Sequence, residues 1–317
     1  MWTTIIGETT RPYLIHEHHI KSIPLGKVLC RFGSPSLLTF GSPGTDAAAG
    51  AAAAFAACYN LYQNRVFSNS YSGPATLQNS TYASLLLQHA EALYAFATRA
   101  SKIEYQKSVP EGGDAYPSSG FGDELAIAAL FLSWATNSPS LYEEAQSYYL
   151  QYSLSGYQGV FNWDTKTPGI PVLFAQIAQA NPTLGNISTW QDQAEMYFDV
   201  VVYGGGDGYT TAGMVSWFIL GLASHQSTGG LLYYPGDSDE ASLNPALNAA
   251  MLLNRYVPLA STQTKKQDYY VNTHRLSRSS VIDHGTQNFA KSQVEYALGY
   301  NPMSGRCCVR ATRVVCF

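Results

Sequence analysis

GFGDELAIAALFLSWATNSPSLYEEA, running from Gly120 to Ala145, is the stretch that decides the fold class. Asp123 and Glu124 stand where the N-terminus of a helix favours negative charge. Eight apolar residues, Leu125 to Leu132, follow without interruption, so this helix keeps no face for solvent. Asn137-Ser138-Pro139 ends it, because the residue before a proline is driven out of helical backbone. Leu141, Ala145 and Tyr148 then give the next helix a one-sided apolar stripe. A helix apolar all round beside an amphipathic one predicts an inner ring of helices wrapped by an outer ring, an arrangement that carries a cleft across one end.

Outward from this pair the same signals recur. Asp46 is read as the cap of DAAAGAAAAFAACYNLYQ, whose small residues allow a neighbour to pack closely; Gly50 within it costs about 1 kcal/mol relative to alanine, consistent with close backbone contact. A second helix is predicted from Ser80 to Ala97, with Leu86, Ala90, Leu93, Tyr94 and Ala97 on one side. Further helices are predicted near Pro168–Ala180, Thr189–Tyr203, Ser242–Tyr256 and Asn288–Gly299. Loops rich in Gly, Asp, Tyr and Pro separate them, and no segment shows the alternation of a strand. Residues 1–41 lack periodicity and are read as an irregular leader. The class is all-α.

Composition narrows the function. Of 317 residues 46% are apolar and only 13% charged, while tyrosine reaches 23. That is ample core with little charge, the balance of a protein handling neutral polar ligands. A net charge of -4 supplies no electrostatic reason for nucleic acid or an anionic membrane as partner. Ala212 to Ala223 is apolar but too short to span a bilayer. The cysteines (Cys30, Cys58, Cys307, Cys308, Cys316) match no zinc spacing, and Cys58 is read as a small core residue. Two N-glycosylation sequons, Asn79-Ser80-Thr81 and Asn186-Ile187-Ser188, are compatible with secretion. The first residues, MWTTIIGETTRPYLIHEHH, show no basic segment followed by an apolar one, so no signal peptide is read.

Five blocks in order resemble glycoside hydrolase family 9, the endoglucanases (cellulases), with a flavour nearest to fungal members. They are SPGTDAAAGAAAAFAA (Ser42–Ala57), SSGFGDELAIAALFL (Ser118–Leu132), FNWDTKTPGIPVLFA (Phe161–Ala175), GGLLYY with ALNAAMLL (Gly229–Leu253), and SQVEYALGYNPMS (Ser292–Ser304). The resemblance implies an (α/α)6 barrel, a six-hairpin toroid, over residues 42–304, here expected to be incomplete at both ends. It also implies extracellular hydrolysis of β-1,4-glucans with inversion, by a monomer without a cofactor or metal. The departures are equally informative. The family's Asp-Ala-Gly-Asp motif, which carries the base, does not occur in the chain. After Ser304 the sequence runs GRCCVRATRVVCF, residues 305–317, where the family continues toward its acid motif. Residues 212–227 and 274–288 also interrupt the family pattern and are read as inserts, products of retained introns or a faulty gene model.

Inverting hydrolysis needs two carboxyl groups about 6.5–9.5 Å apart, one protonating the leaving oxygen and one activating water. Asp123 and Glu124 are adjacent on a helix and point in different directions, so they are expected to cap and to bond between helices. No catalytic residue is assigned. Trp163 and Asp164 are the leading substrate-binding candidates: an indole stacks on the apolar face of a pyranose while a carboxylate accepts hydroxyl protons, and the family uses a Trp-Asp pair in its cleft. Tyr116 is a third candidate, in a loop where relatives present cleft aromatics. Asp237, Asp239 and Glu240 read as a solvated loop or cap, with sugar hydroxyls or calcium as the alternative. His16, His18 and His19 read as a solvated run, not as metal ligands. The expected activity of this polypeptide is negligible; a non-catalytic glucan-binding remnant is the alternative, and a different helical-toroid enzyme such as a lyase the third.

Overall fold

The computed structural model describes residues 28–32, 34–63, 78–110, 116–203, 232–234, 236–241, 243–271, 293–294 and 296–298. The inserts at 212–227 and 274–288, the tail at 305–317 and the histidines His16, His18 and His19 lie outside them. The chain divides into two units, residues 1–152 and 153–317.

In the first unit, residues read as irregular form a short antiparallel hairpin, β1 (Val28–Phe32) with β2 (Ser34–Leu38), in the register Val28↔Leu38 and Phe32↔Ser34. Nothing in the alternation of this stretch announced a strand. Leu38 ends it buried, and Phe40 lies against Phe96 with ring centroids 5.1 Å apart. Four helices follow: α1 (Thr45–Tyr62), α2 (Ser80–Arg99), α4 (Gly122–Thr136) and α5 (Pro139–Gln151), with one turn, α3 (Tyr105–Ser108), between α2 and α4.

The packing follows side-chain size. Ala48, Ala49, Ala52, Ala53 and Ala56 of α1 are buried, and so are Ala83, Ala90 and Ala97 of α2, so the two helices approach closely. α4 is buried from Gly122 through Leu130 and again from Leu132 to Ala135, as an unbroken apolar run demands. α5 buries only Tyr142, Ala145 and Tyr149; the stripe is rotated by one residue from the predicted one, leaving Leu141 and Tyr148 at its flanks. The break between them works as its residues suggest. Asn137 adopts left-handed backbone at φ 53°, Ser138 Oγ accepts the Leu141 N–H, and Pro139 begins α5 where its missing N–H costs nothing.

The second unit repeats the alternation. α6 (Gly169–Ala180) is buried along most of its length, from Ile170 to Ala178 with only Gln176 half-buried, and α7 (Ile187–Tyr203) buries Trp190, Ala194, Tyr197, Phe198, Val201 and Val202. Phe174 stacks on Trp190 with centroids 3.7 Å apart and planes 5° from parallel. One turn, α8 (Asp237–Glu240), leads into α9 (Leu243–Tyr256), and α10 (Gln263–Val271) follows a 3-10 turn at Val257–Leu259. A polar staple ties these helices. Glu195 of α7 accepts from the Tyr256 hydroxyl (2.9 Å), the Ser261 N–H (2.7 Å) and the Ser261 hydroxyl (2.8 Å), and pairs with Lys265 at 3.1 Å. Asp199, one turn on, takes Lys265 at 2.8 Å and the Tyr269 hydroxyl at 2.7 Å.

Candidate functional site

In the first unit the site candidate is Tyr116, and its backbone is held from α3. The Tyr105 hydroxyl donates to the Tyr116 carbonyl. Two residues on, the Gln106 side chain pairs with Ser118 in both directions: Nε2 donates to the Ser118 carbonyl at 2.7 Å and Oε1 accepts the Ser118 N–H at 3.2 Å. Tyr116 is 60% exposed.

Asp46 fixes α3 in turn. Gly44, not Asp46, is the N-cap of α1, and no side chain caps it. Asp46 sits inside the first turn, buried, and its Oδ1 accepts the Tyr105 N–H at 2.8 Å. The expected cap is therefore a clamp between α1 and α3. A β-carbon at Gly44 would come within 2.7 Å of Tyr105 Cβ, so only glycine permits the approach. Burial raises the Asp46 pKa, while the bonds from Ala47, Tyr105 and Ser118 pull it back without cancelling the rise. Asp123 and Glu124 are buried in the first turn of α4, whose N-cap, Phe121, uses no side-chain bond; Glu124 lies alongside Gly50 of α1. Side by side on one helix, they do not form an opposed acid–base pair.

In the second unit Trp163 and Asp164 stand in a turn organised by a residue the sequence reading passed over. Asn162 Oδ1 accepts the N–H groups of Asp164 (2.9 Å) and Thr165 (2.8 Å), and its own N–H donates to the Thr165 carbonyl at 3.0 Å. This is an Asx turn. The Asn162 Nδ2 donates to Asp237 Oδ1 at 2.6 Å, a short bond to a charged acceptor. Lys166 folds back so that its ammonium donates to the carbonyls of Trp163 and Asp164. From α9, Asn248 Nδ2 reaches the Phe161 carbonyl at 2.9 Å and Asn244 Oδ1 at 2.9 Å. The Trp163 indole is 39% exposed on this base.

Asp237, read as a member of a solvated acidic loop, is thus a strut of the tryptophan turn. Its neighbour Ser238 is buried and accepts the Tyr234 N–H at 2.8 Å. Burial first, then the charges of Tyr157 and Asp237, push the Tyr234 phenol up to about 12 against the opposing effect of Tyr197, so it stays a neutral hydroxyl. Among the described residues no group of three His, Cys, Asp or Glu side chains is placed to hold a metal ion. The Asx signal in Asn162-Trp163-Asp164-Thr165 was available in the sequence; the pairing with Asp237, 75 residues away, was not.

Apart from the hairpin at residues 28–38, the described elements are helices, with nearly fully buried ones (α4, α6) each followed by a one-sided one (α5, α7), the pattern of a helical-hairpin protein. The profile of Glycosyl hydrolase family 9 matches residues 35–309, and the chain belongs to that family. It is 31% identical over 264 residues to Endoglucanase 15 of Arabidopsis thaliana, an alignment covering 82% of this chain and 45% of the relative. It is 30% identical over 265 residues to Endoglucanase 18 of Oryza sativa subsp. japonica, covering 83% and 44%. Among solved structures, the endoglucanase of the termite Nasutitermes takasagoensis aligns with TM-score 0.58 at 25% identity, over 84% of this chain and 47% of that one. The cellulase Cel9M of C. cellulolyticum aligns with TM-score 0.57 at 22% identity, over 86% and 48%. The fold is the (α/α)6 barrel fold of these cellulases, and the chain spans less than half the length of the relatives it matches.

Proposed function

We propose that these residues bind β-1,4-glucan as part of an endo-1,4-β-glucanase of the inverting type, and that the 317-residue polypeptide by itself binds without appreciable turnover. The observation that carries the reading is the Trp163–Asp164 turn. An exposed indole on a frame of six side-chain hydrogen bonds from Asn162, Lys166 and Asn248 offers a rigid face to a pyranose ring beside a carboxylate for its hydroxyls. Endoglucanases of the same family in plants and a termite, and Cel9M crystallised in complex with cellobiose, support this substrate class.

The carboxylates in view favour binding over cleavage. Glu195 and Asp199 are committed to Lys265, Asp46 to the Tyr105 backbone, and Asp237 to Asn162. General acid–base catalysis contributes factors of about 10²–10⁴, and these four carboxylates of the described residues are held by structural partners rather than opposed as an acid–base pair. An extracellular, monomeric protein is proposed on the same family grounds; among the described residues no helix is long and apolar enough to cross a membrane. Cello-oligosaccharide titration followed by tryptophan fluorescence, beside reducing-sugar release from carboxymethylcellulose, tests the proposal. Saturable binding with no sugar release is expected. Robust release would show that a carboxylate pair among these residues is catalytic, and absence of binding would remove the glucan reading.

A further inference from the structure

Two sequons occupy equivalent places in the two units. Asn79 is the N-cap of α2 and Asn186 directly precedes α7. Both asparagines are exposed, and so are Thr81 and Ser188, the hydroxyl residues that complete each sequon. The polar atoms are divided in a way that matters. Asn79 Oδ1 accepts the Tyr82 N–H at 3.0 Å and Asn186 Oδ1 accepts the Ser188 N–H at 3.0 Å, while among the described residues neither Nδ2 donates a hydrogen bond. A third asparagine, Asn181, has the same spacing to Thr183 but with Pro182 between. Its Oδ1 is bonded to the Thr183 hydroxyl at 2.6 Å.

We propose that Asn79 and Asn186 are N-glycosylated and that Asn181 is not. The donor is a lipid-pyrophosphate-linked oligosaccharide. The bond between its anomeric carbon and the phosphate oxygen breaks, the electron pair leaves with the lipid pyrophosphate, and Nδ2 forms the new bond to the anomeric carbon with loss of one amide proton to the medium. The carbonyl oxygen is untouched by this chemistry. Each asparagine therefore keeps its helix-capping bond after modification, and the glycan leaves the helix start outward from an exposed residue. Proline at the middle position bars Asn181. The occurrence of the modification rests on the extracellular reading above; the sites themselves do not.

The test supplies entry to the secretory compartment from outside. The full chain behind a heterologous signal peptide is translated with endoplasmic-reticulum microsomes, and the protease-protected product is treated with peptide N-glycosidase. Two discrete mass steps are expected, one lost in Thr81→Ala, one in Ser188→Ala and both in the double variant. These variants leave the two capping oxygens and their backbone donors in place. Peptide mass spectrometry is expected to find the Asn181 peptide unmodified. A protected chain without glycosidase-sensitive mass, or with mass steps that survive the double variant, overturns the proposal; a single step overturns the site that lacks it. Because the leader is supplied, none of these results depends on glucan binding or on the chain's own route of export.

Discussion

Asn162 does more for the candidate site than either residue expected to touch sugar. Its side chain accepts two backbone N–H groups and donates to Asp237. Asn162→Asp keeps the oxygen that accepts both N–H groups but sets a second carboxylate against Asp237 at 2.6 Å, where the amide now donates. We expect this variant to unfold about 1–3 kcal/mol more easily in urea and to bind cellotetraose more weakly, whereas Asp237→Asn, which preserves an acceptor, stays near wild type. Equal behaviour of the two would deny that the bond orders the turn. Asp46 presents the opposite electrostatics. Burial raises its pKa, so its ionised form is held at a cost at neutral pH, and that cost shrinks as pH falls through the raised value. Asp46→Asn retains an oxygen for the Tyr105 N–H and removes the charge. Its urea midpoint at pH 7 is expected to equal or exceed that of the wild type; a midpoint lower by the equivalent of 2 kcal/mol or more, on the order of a lost charged bond, would contradict this.

Helices set the second scale, and here the junctions are most vulnerable. A β-carbon at Gly122 would lie 2.4 Å from Cγ of Tyr152, so the start of α4 approaches the end of α5 only because the residue is glycine. Gly122→Ala is expected to cost about 1–3 kcal/mol by overpacking, read from thermal unfolding; an unchanged melting temperature would mean that Tyr152 swings aside freely. In the second unit, the α7–α10 staple makes a pH prediction. Burial pushes the Glu195 carboxyl up, but the Ser261 N–H and hydroxyl, the Tyr256 hydroxyl and Lys265 together hold it below its ordinary value of 4.5. A carboxylate depressed in the folded state stabilises at pH values above its unfolded value, and loses that contribution as pH falls through the folded one. Stability should therefore drop below about pH 4.5 in the wild type and less steeply in Glu195→Gln, itself weaker at pH 7 by about 1–2 kcal/mol because Tyr256, Ser261 and Lys265 lose a charged acceptor while Lys265 keeps Asp199. Parallel profiles for the two proteins would remove Glu195 from the acid response. Much of this scale was legible in advance. Unbroken apolar runs and capping residues placed α2 and α4 within two residues of their ends and set the break before α5, because periodicity and caps are local signals. The turn α3 and α10 were not legible, since Asp46 holds the first and Glu195 and Asp199 hold the second from distant positions; the hairpin at 28–38 and the single turn α8 close locally but without alternation or a capping pattern to announce them.

At the scale of the whole molecule the family and fold class were written in five blocks of sequence, and the family profile matches residues 35–309. The candidate site was legible only as exposed aromatics. Trp163 and Tyr116 could be named from their motifs, but what braces them could not, because Asp237 and Asn248 lie 75 and 87 residues from the partners they hold, and Gln106 lies in a turn without a signature. The measurement that bears most directly on the central claim is cellotetraose titration of the 317-residue chain against Trp163→Ala, read by calorimetry with product analysis of the same samples. Saturable binding by the wild type, weakened about tenfold or more by the substitution (about 1.4 kcal/mol), with cellotetraose recovered intact, is the predicted result. Equal affinity in the two proteins, or conversion of the sugar to shorter products, would contradict it.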